Sequence, residues 1–187
     1  MNQNDIQTGD TLLIRNKKDF ISRTICSVMK KWGTKKGLPT DKIYSHAGRF
    51  VWIAGKLYVY GSIDSGYKPW LFDLHYKWDD DLMVMRRKTS LSQPEMDQTT
   101  NFCLHLVTIS RMYQYLNFVK WLTLVYLGIN IFGKENDHVM YCYESEHLCR
   151  KNLNPENYGD ISQTDIFQLV YDPNYEIIYQ MYGQTNK

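Results

Sequence analysis

Two residues of the 187-residue chain combine reactive side chains with suggestive neighbours. His46 lies in the segment KIYSHAGRF, where Ser45 and the small pair Ala47–Gly48 leave room for a second group to approach the imidazole. Cys142 lies where an apolar segment passes into a predicted helix, and a helix N-terminus favours the nucleophilic thiolate. Together the two residues predict a Cys–His pair for acyl transfer. Alone, each is typical of a packed core residue.

The first half of the chain is predicted to supply the sheet that positions His46. A short strand is expected over residues 10–14, and a helix follows in which Asn16 caps the N-terminus and Gly33 ends the helix. Residues 35–41 are expected to form a loop. The runs IYSHAGRFVWI, LYVYGSI and LMVMRR predict three strands, the first two joined by the turn AGK. An antiparallel sheet follows from this grouping.

The second half is predicted to be mainly helical. Ser92 and Glu95 form an S-x-x-E capping box before one helix, and residues 111–133 extend the helical middle of the chain. A further helix is expected to begin near Cys142. DISQTDIFQLVYD predicts a helical turn, and YEIIYQMY a last strand. The expected fold is therefore α+β, an antiparallel sheet packed against helices in a single domain over residues 1–187, with the helical segment 92–133 within it.

Several segments, taken in order, resemble a known family: GDTLLI, YSHAGRFVW, LYVYGSIDSGYKPW, SQPEMDQTTNFCLHLV and YCYESEHL. This order is similar to the YiiX-type branch of the NlpC/P60 superfamily, which are papain-like cysteine hydrolases with a circularly permuted chain. The resemblance places His46 in the family's histidine strand and Cys142 in the motif that opens a helix. It implies a permuted papain-like fold and a thiol peptidase or amidase that cleaves a peptide, amide or acyl substrate, in cell-wall peptides for many relatives.

The resemblance also implies a third polar residue, often glutamate, on the strand after the histidine. Gly61 occupies that position here. Ser62 and Asp64 are the local substitutes, although strand alternation places both on the face opposite Gly61. Because the carboxylate would hold the imidazole in its useful tautomer, its absence favours a second interpretation. In that interpretation the protein is a catalytically impaired scaffold, or a structural protein associated with a virion or another assembly.

The expected reaction assigns roles to residues beside the pair. Cys142 would attack an acyl carbon, and His46 would take the thiol proton and later protonate the leaving group. The backbone N–H of Cys142 would stabilise the oxyanion, with Tyr44 as a candidate second donor. Glu144 is a further candidate oxyanion or groove residue. The segment 92–133 and the loop 35–41 are expected to wall the groove.

Charge and apolar runs exclude several classes of protein. The net charge of +2, from 22 basic and 20 acidic residues, predicts no nucleic-acid partner. The apolar segment 116–132 is interrupted by Lys120, so it predicts no membrane span but a buried helix or a contact surface for protein assembly. The polar N-terminus lacks a signal-peptide pattern. We expect a cytoplasmic or virion-associated protein of bacterial or phage origin.

No cofactor or metal is expected. The four cysteines have no paired spacing and are predicted to be free thiols. A mixed set in the second half (His138, Cys142, His147 and Cys149) lies close in sequence but does not match the usual zinc-ligand spacings. On the predicted helix Cys149 lies seven residues after Cys142 and shares its face, which favours core packing over metal binding.

Overall fold

The computed structural model describes residues 2–16, 19–63, 66–76, 81–110, 112–113, 115–129, 139–159 and 164–181. Within these ranges the strands are β1 (Thr11–Ile14), β2 (His46–Ile53), β3 (Lys56–Ile63), β4 (Gly66–Leu71), β5 (Leu82–Arg87), β6 (Met112–Tyr113), β7 (Val139–Met140) and β8 (Tyr175–Met181). The helices are α1 (Phe20–Lys36), α2 (Phe72–His75), α3 (Gln93–Ile109), α4 (Tyr115–Leu122), a π-helix (Thr123–Leu127), α5 (Cys142–Leu153) and α6 (Ile166–Val170).

One six-stranded sheet organises the described residues. Its spatial order is β4-β3-β2-β1-β5-β8, and every neighbouring pair is antiparallel. The helices pack against this sheet, which confirms the predicted α+β class. The predicted strand LMVMRR coincides with β5, and the predicted last strand is β8 at one edge.

The two faces of the sheet differ in what covers them. Because side chains alternate along β2, His46 and Phe50 share a face with Ile14 of β1, to which His46 is paired. That face packs on an apolar cluster that includes Phe50 and Phe72. Arg49 projects from the opposite face, where α5 lies. The register of β1 with β2 therefore decides the face from which the imidazole projects.

A buried charged network fixes α5 against the sheet. Glu146 Oε1 accepts hydrogen bonds from Arg49 Nη2 at 2.6 Å, from Thr11 Oγ1 at 2.5 Å and from Arg150 Nε at 3.2 Å. Arg150 Nη1 donates to Asp172 Oδ2 at 2.8 Å. Each guanidinium is paired with a carboxylate, as fully buried charges require. The network ties α5 to β1 and β2 and so determines where the helix begins.

The ends of α1 differ from the prediction. Asp19, not Asn16, caps the helix, and its carboxylate accepts a backbone N–H of the first turn at 2.7 Å. The helix also continues through Gly33 to residue 36, so the predicted loop 35–41 begins two residues late. Gly37, with φ of 67°, forms the left-handed C-cap. Gly33 instead leaves space for Phe167, since a Cβ would lie 2.4 Å from its Cζ.

Other boundaries also differ. The sequence did not predict β4, α2 or the two-residue strands β6 and β7, and β2 begins at His46 rather than at Ile43. The predicted helical segment 111–133 contains α4 and the π-helix but begins with the strand β6 rather than a helix, while residues 111, 114 and 130–133 lie outside the described ranges. Within the part of the chain that the structure describes, every helix is too short or too polar to cross a bilayer.

Candidate active site

Cys142 is the first residue of α5, as the sequence predicts. Tyr141 is the N-cap residue, and Glu144 Oε2 accepts its backbone N–H at 3.3 Å. The Cys142 side chain is 2% exposed, and its Sγ lies 3.8 Å from the carbonyl oxygen of Ser45. The first turn of α5 therefore abuts the residue that directly precedes His46.

His46 is the first residue of β2 and is half-buried. Its Nε2 is shielded from solvent and has no hydrogen-bond partner among the described residues. The imidazole makes an edge contact with Trp70, with ring centroids 6.1 Å apart. Burial lowers the pKa of His46 to about 4, because desolvation penalises the imidazolium. At neutral pH the ring is therefore uncharged and can accept a proton.

The sulfur and the imidazole approach the start of β2 from different sides. Cys142 contacts the backbone at Ser45, whereas the imidazole projects from the sheet face that carries Gly61 and Trp70. Tyr76 lies on the same face as the imidazole, packed on Phe72. Burial raises the pKa of Tyr76 to about 12, and Cys142 adds to the rise. The sulfur itself packs with Leu13 and Ala47 in the apolar cluster of the opposite face, so the two side chains lie on opposite faces of the sheet at the start of β2.

Gly61 lies directly against the imidazole. A Cβ built on it would lie 3.3 Å from His46 Nε2 and 3.0 Å from the carbonyl oxygen of Ala47. A side chain at this position would therefore begin in contact with the buried ring nitrogen. Ser62 is fully buried and points to the opposite face, and its Oγ has no partner among the described residues. Asp64 lies outside those residues.

Tyr44 and Glu144 make structural contacts. Tyr44 is fully buried, and its carbonyl oxygen accepts a hydrogen bond from the Tyr143 hydroxyl. Glu144 is 2% exposed and completes the capping box of α5 through Tyr141. Both residues thus hold the N-terminus of α5 in place. The role of Tyr44 as an oxyanion donor stays a prediction.

A small apolar cavity adjoins the sulfur. Its volume is about 30 Å³, enough for one or two water molecules. Trp121 of the expected segment 92–133 lines the cavity, whereas the expected loop 35–41 does not, and α1 contributes Ile25, Val28 and Met29. The helical spacing of Ile25, Val28 and Met29 is the sequence signal that could have placed them together on this wall. The lining consists of Ile25, Val28, Met29, Ser45, Trp121, Tyr141, Cys142 and Tyr143.

The remaining thiols and histidines lie elsewhere. All four cysteines are free and buried. Cys149 lies 3.6 Å from the Tyr67 hydroxyl, which also donates to Cys103 at 3.4 Å. His147 makes an edge contact with Tyr158. Within the described ranges, no three or more His, Cys, Asp or Glu residues are grouped as metal ligands would be.

Comparison with known proteins yields a likeness of fold. No family model matches the chain, and no curated protein matches it. A solved structure does match, the crystal structure of metalloprotein yiiX from Escherichia coli O157:H7, with a TM-score of 0.59 over 94% of this chain and 98% of that one. The chain has a YiiX-like fold. The sequence identity is 16%, so the likeness extends to the fold alone.

Proposed function

We propose that the protein is a cysteine hydrolase of the peptidase or amidase type, with Cys142 as nucleophile and His46 as general base. The observation that carries the proposal is the 3.8 Å contact between Cys142 Sγ and the carbonyl oxygen of Ser45, the residue before His46. Two residues almost a hundred positions apart in sequence thereby share one corner of the sheet. The N-terminus of α5 favours the thiolate at that corner.

The proposed reaction proceeds through a thioester. The Cys142 sulfur attacks the carbonyl carbon of an amide or ester while His46 takes the thiol proton. The backbone N–H of Cys142 stabilises the oxyanion, with Tyr44 as a candidate second donor. The intermediate then expels the amine or alcohol, which takes the proton from His46, and water hydrolyses the thioester. The apolar cavity beside the sulfur favours a small uncharged acyl group.

The imidazole is a weak base in this arrangement. Its pKa of about 4 keeps it neutral at pH 7, but general-base efficiency is highest for a pKa near the working pH. The reaction also requires the ring to lie within hydrogen-bond distance of the sulfur in the substrate complex. The chemistry proposed for this chain is therefore slow compared with that of a site with a complete triad.

Metal chemistry has no place in the proposal. The structural neighbour is titled a metalloprotein, which raises the question for this chain. The described residues contain no group of three or more side chains arranged to hold a metal ion, so they do not fit that role.

The test is acyl labelling of matched cysteine variants. Cys142 and Cys149 are equally buried, at 2% exposed, so a difference between them reports reactivity rather than access. We expect a panel of activated acyl esters to modify Cys142, with hydrolysis and labelling lost in Cys142→Ala and kept in Cys149→Ala. His46→Gln should slow turnover by roughly 10²–10⁴-fold. The exposed His75 provides the control: His75→Gln should leave turnover unchanged. Equal labelling of the two cysteine variants would contradict the assignment.

A second candidate function is a binding scaffold without catalysis. Gly61 faces the imidazole where the resemblance implies a carboxylate, and the Cys142 thiol is nearly inaccessible. In this case the folded protein should resist labelling at Cys142, whereas the protein unfolded in denaturant should react at all four cysteines. That pair of results would favour the scaffold over the hydrolase.

A further inference from the structure

We propose that the outer surface of α1 and the π-helix segment binds an anionic lipid membrane. We call this surface the α1–π face, and it comprises the exposed side of residues 20–36 together with residues 126–129. The inference is independent of the hydrolase proposal, because it concerns where the protein docks and can be measured without any substrate.

The charge of α1 is the first observation. Its five basic residues are all exposed, and the helix contains no acidic residue, although the whole chain is nearly balanced with 22 basic and 20 acidic residues. A helix that carries only positive charges, on a protein that is nearly neutral, is complementary to an anionic surface. The basic residues are Arg23, Lys30, Lys31, Lys35 and Lys36.

Exposed apolar side chains on the same elements are the second observation. Phe20 is 72% exposed and Leu127 68%, and three further large side chains are half exposed or more. Phe20 and Lys31 are three helical turns apart and so lie on the same side of α1. Lys31 Nζ lies 3.7 Å from the centre of the Tyr126 ring, which joins α1 to the π-helix. The further three are Ile21, Tyr126 and Ile129.

This combination favours lipid over other partners. Basic side chains interleaved with exposed Phe, Ile and Leu are typical of surfaces that lie in a membrane interface. A nucleic acid would use the lysines but has no use for the aliphatic Ile21, Leu127 and Ile129. A second copy of this chain would bring two positively charged helices together, and their mutual repulsion opposes that contact. The inner side of α1 lines the cavity beside Cys142, so docking would bring that cavity close to the bilayer.

The experiment is co-sedimentation of the full chain with phosphatidylcholine vesicles, with and without phosphatidylserine. We expect binding only with phosphatidylserine, and loss of binding when ionic strength rises from about 0.1 to about 1 M, because the Debye length falls from about 10 to about 3 Å. Replacing both Lys30 and Lys35 by Gln should weaken binding roughly 25-fold, about fivefold per lysine. Leu127→Ser should weaken it roughly tenfold.

Two matched controls separate this face from the rest of the surface. Leu74→Ser removes a leucine that is 75% exposed on α2, which packs on the other face of the sheet. Lys56→Gln removes an exposed lysine of the β2–β3 hairpin. Both should bind vesicles as the unmodified protein does.

Several results would overturn the proposal. Absence of vesicle binding would do so, as would equal binding by all variants, since another surface would then be responsible. Binding to a DNA or RNA oligonucleotide without binding to vesicles would identify a nucleic-acid surface instead. Self-association that Leu127→Ser abolishes, again without vesicle binding, would show that a second copy covers the face.

Discussion

Replacing Glu146 with Gln tests whether the buried network holds α5 on the sheet. The carboxylate accepts from Arg49 twice, at 2.6 and 3.1 Å, and both side chains are fully buried. Without the negative charge, the one other acceptor for Arg49 among the described residues is the carbonyl oxygen of Gly9, at 2.7 Å. Removing one partner of a buried ion pair costs about 3–5 kcal/mol, because the other charge stays buried and uncompensated. That is a large part of the roughly 5–15 kcal/mol by which domains are stable.

Denaturant unfolding, followed by circular dichroism, measures the loss in unfolding free energy. Thermal unfolding should show a decrease in Tm of about 6–20 °C, at about 2–4 °C per kcal/mol for a chain of this size. The exposed Glu156 provides the control Glu156→Gln, which should change stability by less than about 0.5 kcal/mol. Combining Glu146→Gln with Arg49→Met should cost less than the sum of the two single changes. A loss below about 1 kcal/mol for Glu146→Gln would refute the reasoning.

Three further changes probe the site and the helices. Gly61→Glu should raise the pKa of His46 from about 4 to about 5–7 in an NMR titration, because a carboxylate beside the ring favours the imidazolium. An unchanged pKa would mean that the new side chain points away from the ring. Glu95→Gln should cost about 0.3–1 kcal/mol at pH 7. Hydrogen bonds in the capping box lower the pKa of Glu95 to about 2, so this difference should hold above about pH 4 and vanish as pH falls toward 2; a constant difference would argue against the cap. Gly33→Ala should destabilise the protein by about 1–2 kcal/mol, because the new Cβ would clash with Phe167 even though alanine has the better helix propensity. A gain in stability would show that the Phe167 ring moves freely.

Local signals were enough to predict much of the fold. The S-x-x-E capping box places the start of α3, and apolar residues and turn signals outline β5 and β8. β4 was missed because its sequence GYKPWL contains Pro69, which argues against a strand. Pro69 is nevertheless tolerated, because β4 lies at the edge of the sheet and needs hydrogen bonds on one side only. Gly33 predicts a helix end because glycine is common there, and no local pattern reveals its contact with Phe167, more than a hundred residues away.

The residue types of the candidate site could be predicted, but their relative orientation could not. The motifs identify Cys142 at the start of a helix, and the structure places it there. The face from which His46 projects depends on its pairing with Ile14, a register that no local pattern reveals. The link between Arg49 and Glu146 was also invisible, because charged residues are normally expected at the surface.

The central position of β1 in the sheet has a consequence for folding. Although β1 is the first strand in sequence, it lies between β2 and β5, and Thr11 bonds to a residue 135 positions later. Contacts this distant in sequence slow folding, because loop closure precedes the stabilising contacts. During synthesis β1 can pair with β2 and β5 early, but its contact with α5 forms only after Glu146 has left the ribosome. We therefore expect nascent chains that stop before α5 to depend on chaperones more than the complete sheet does.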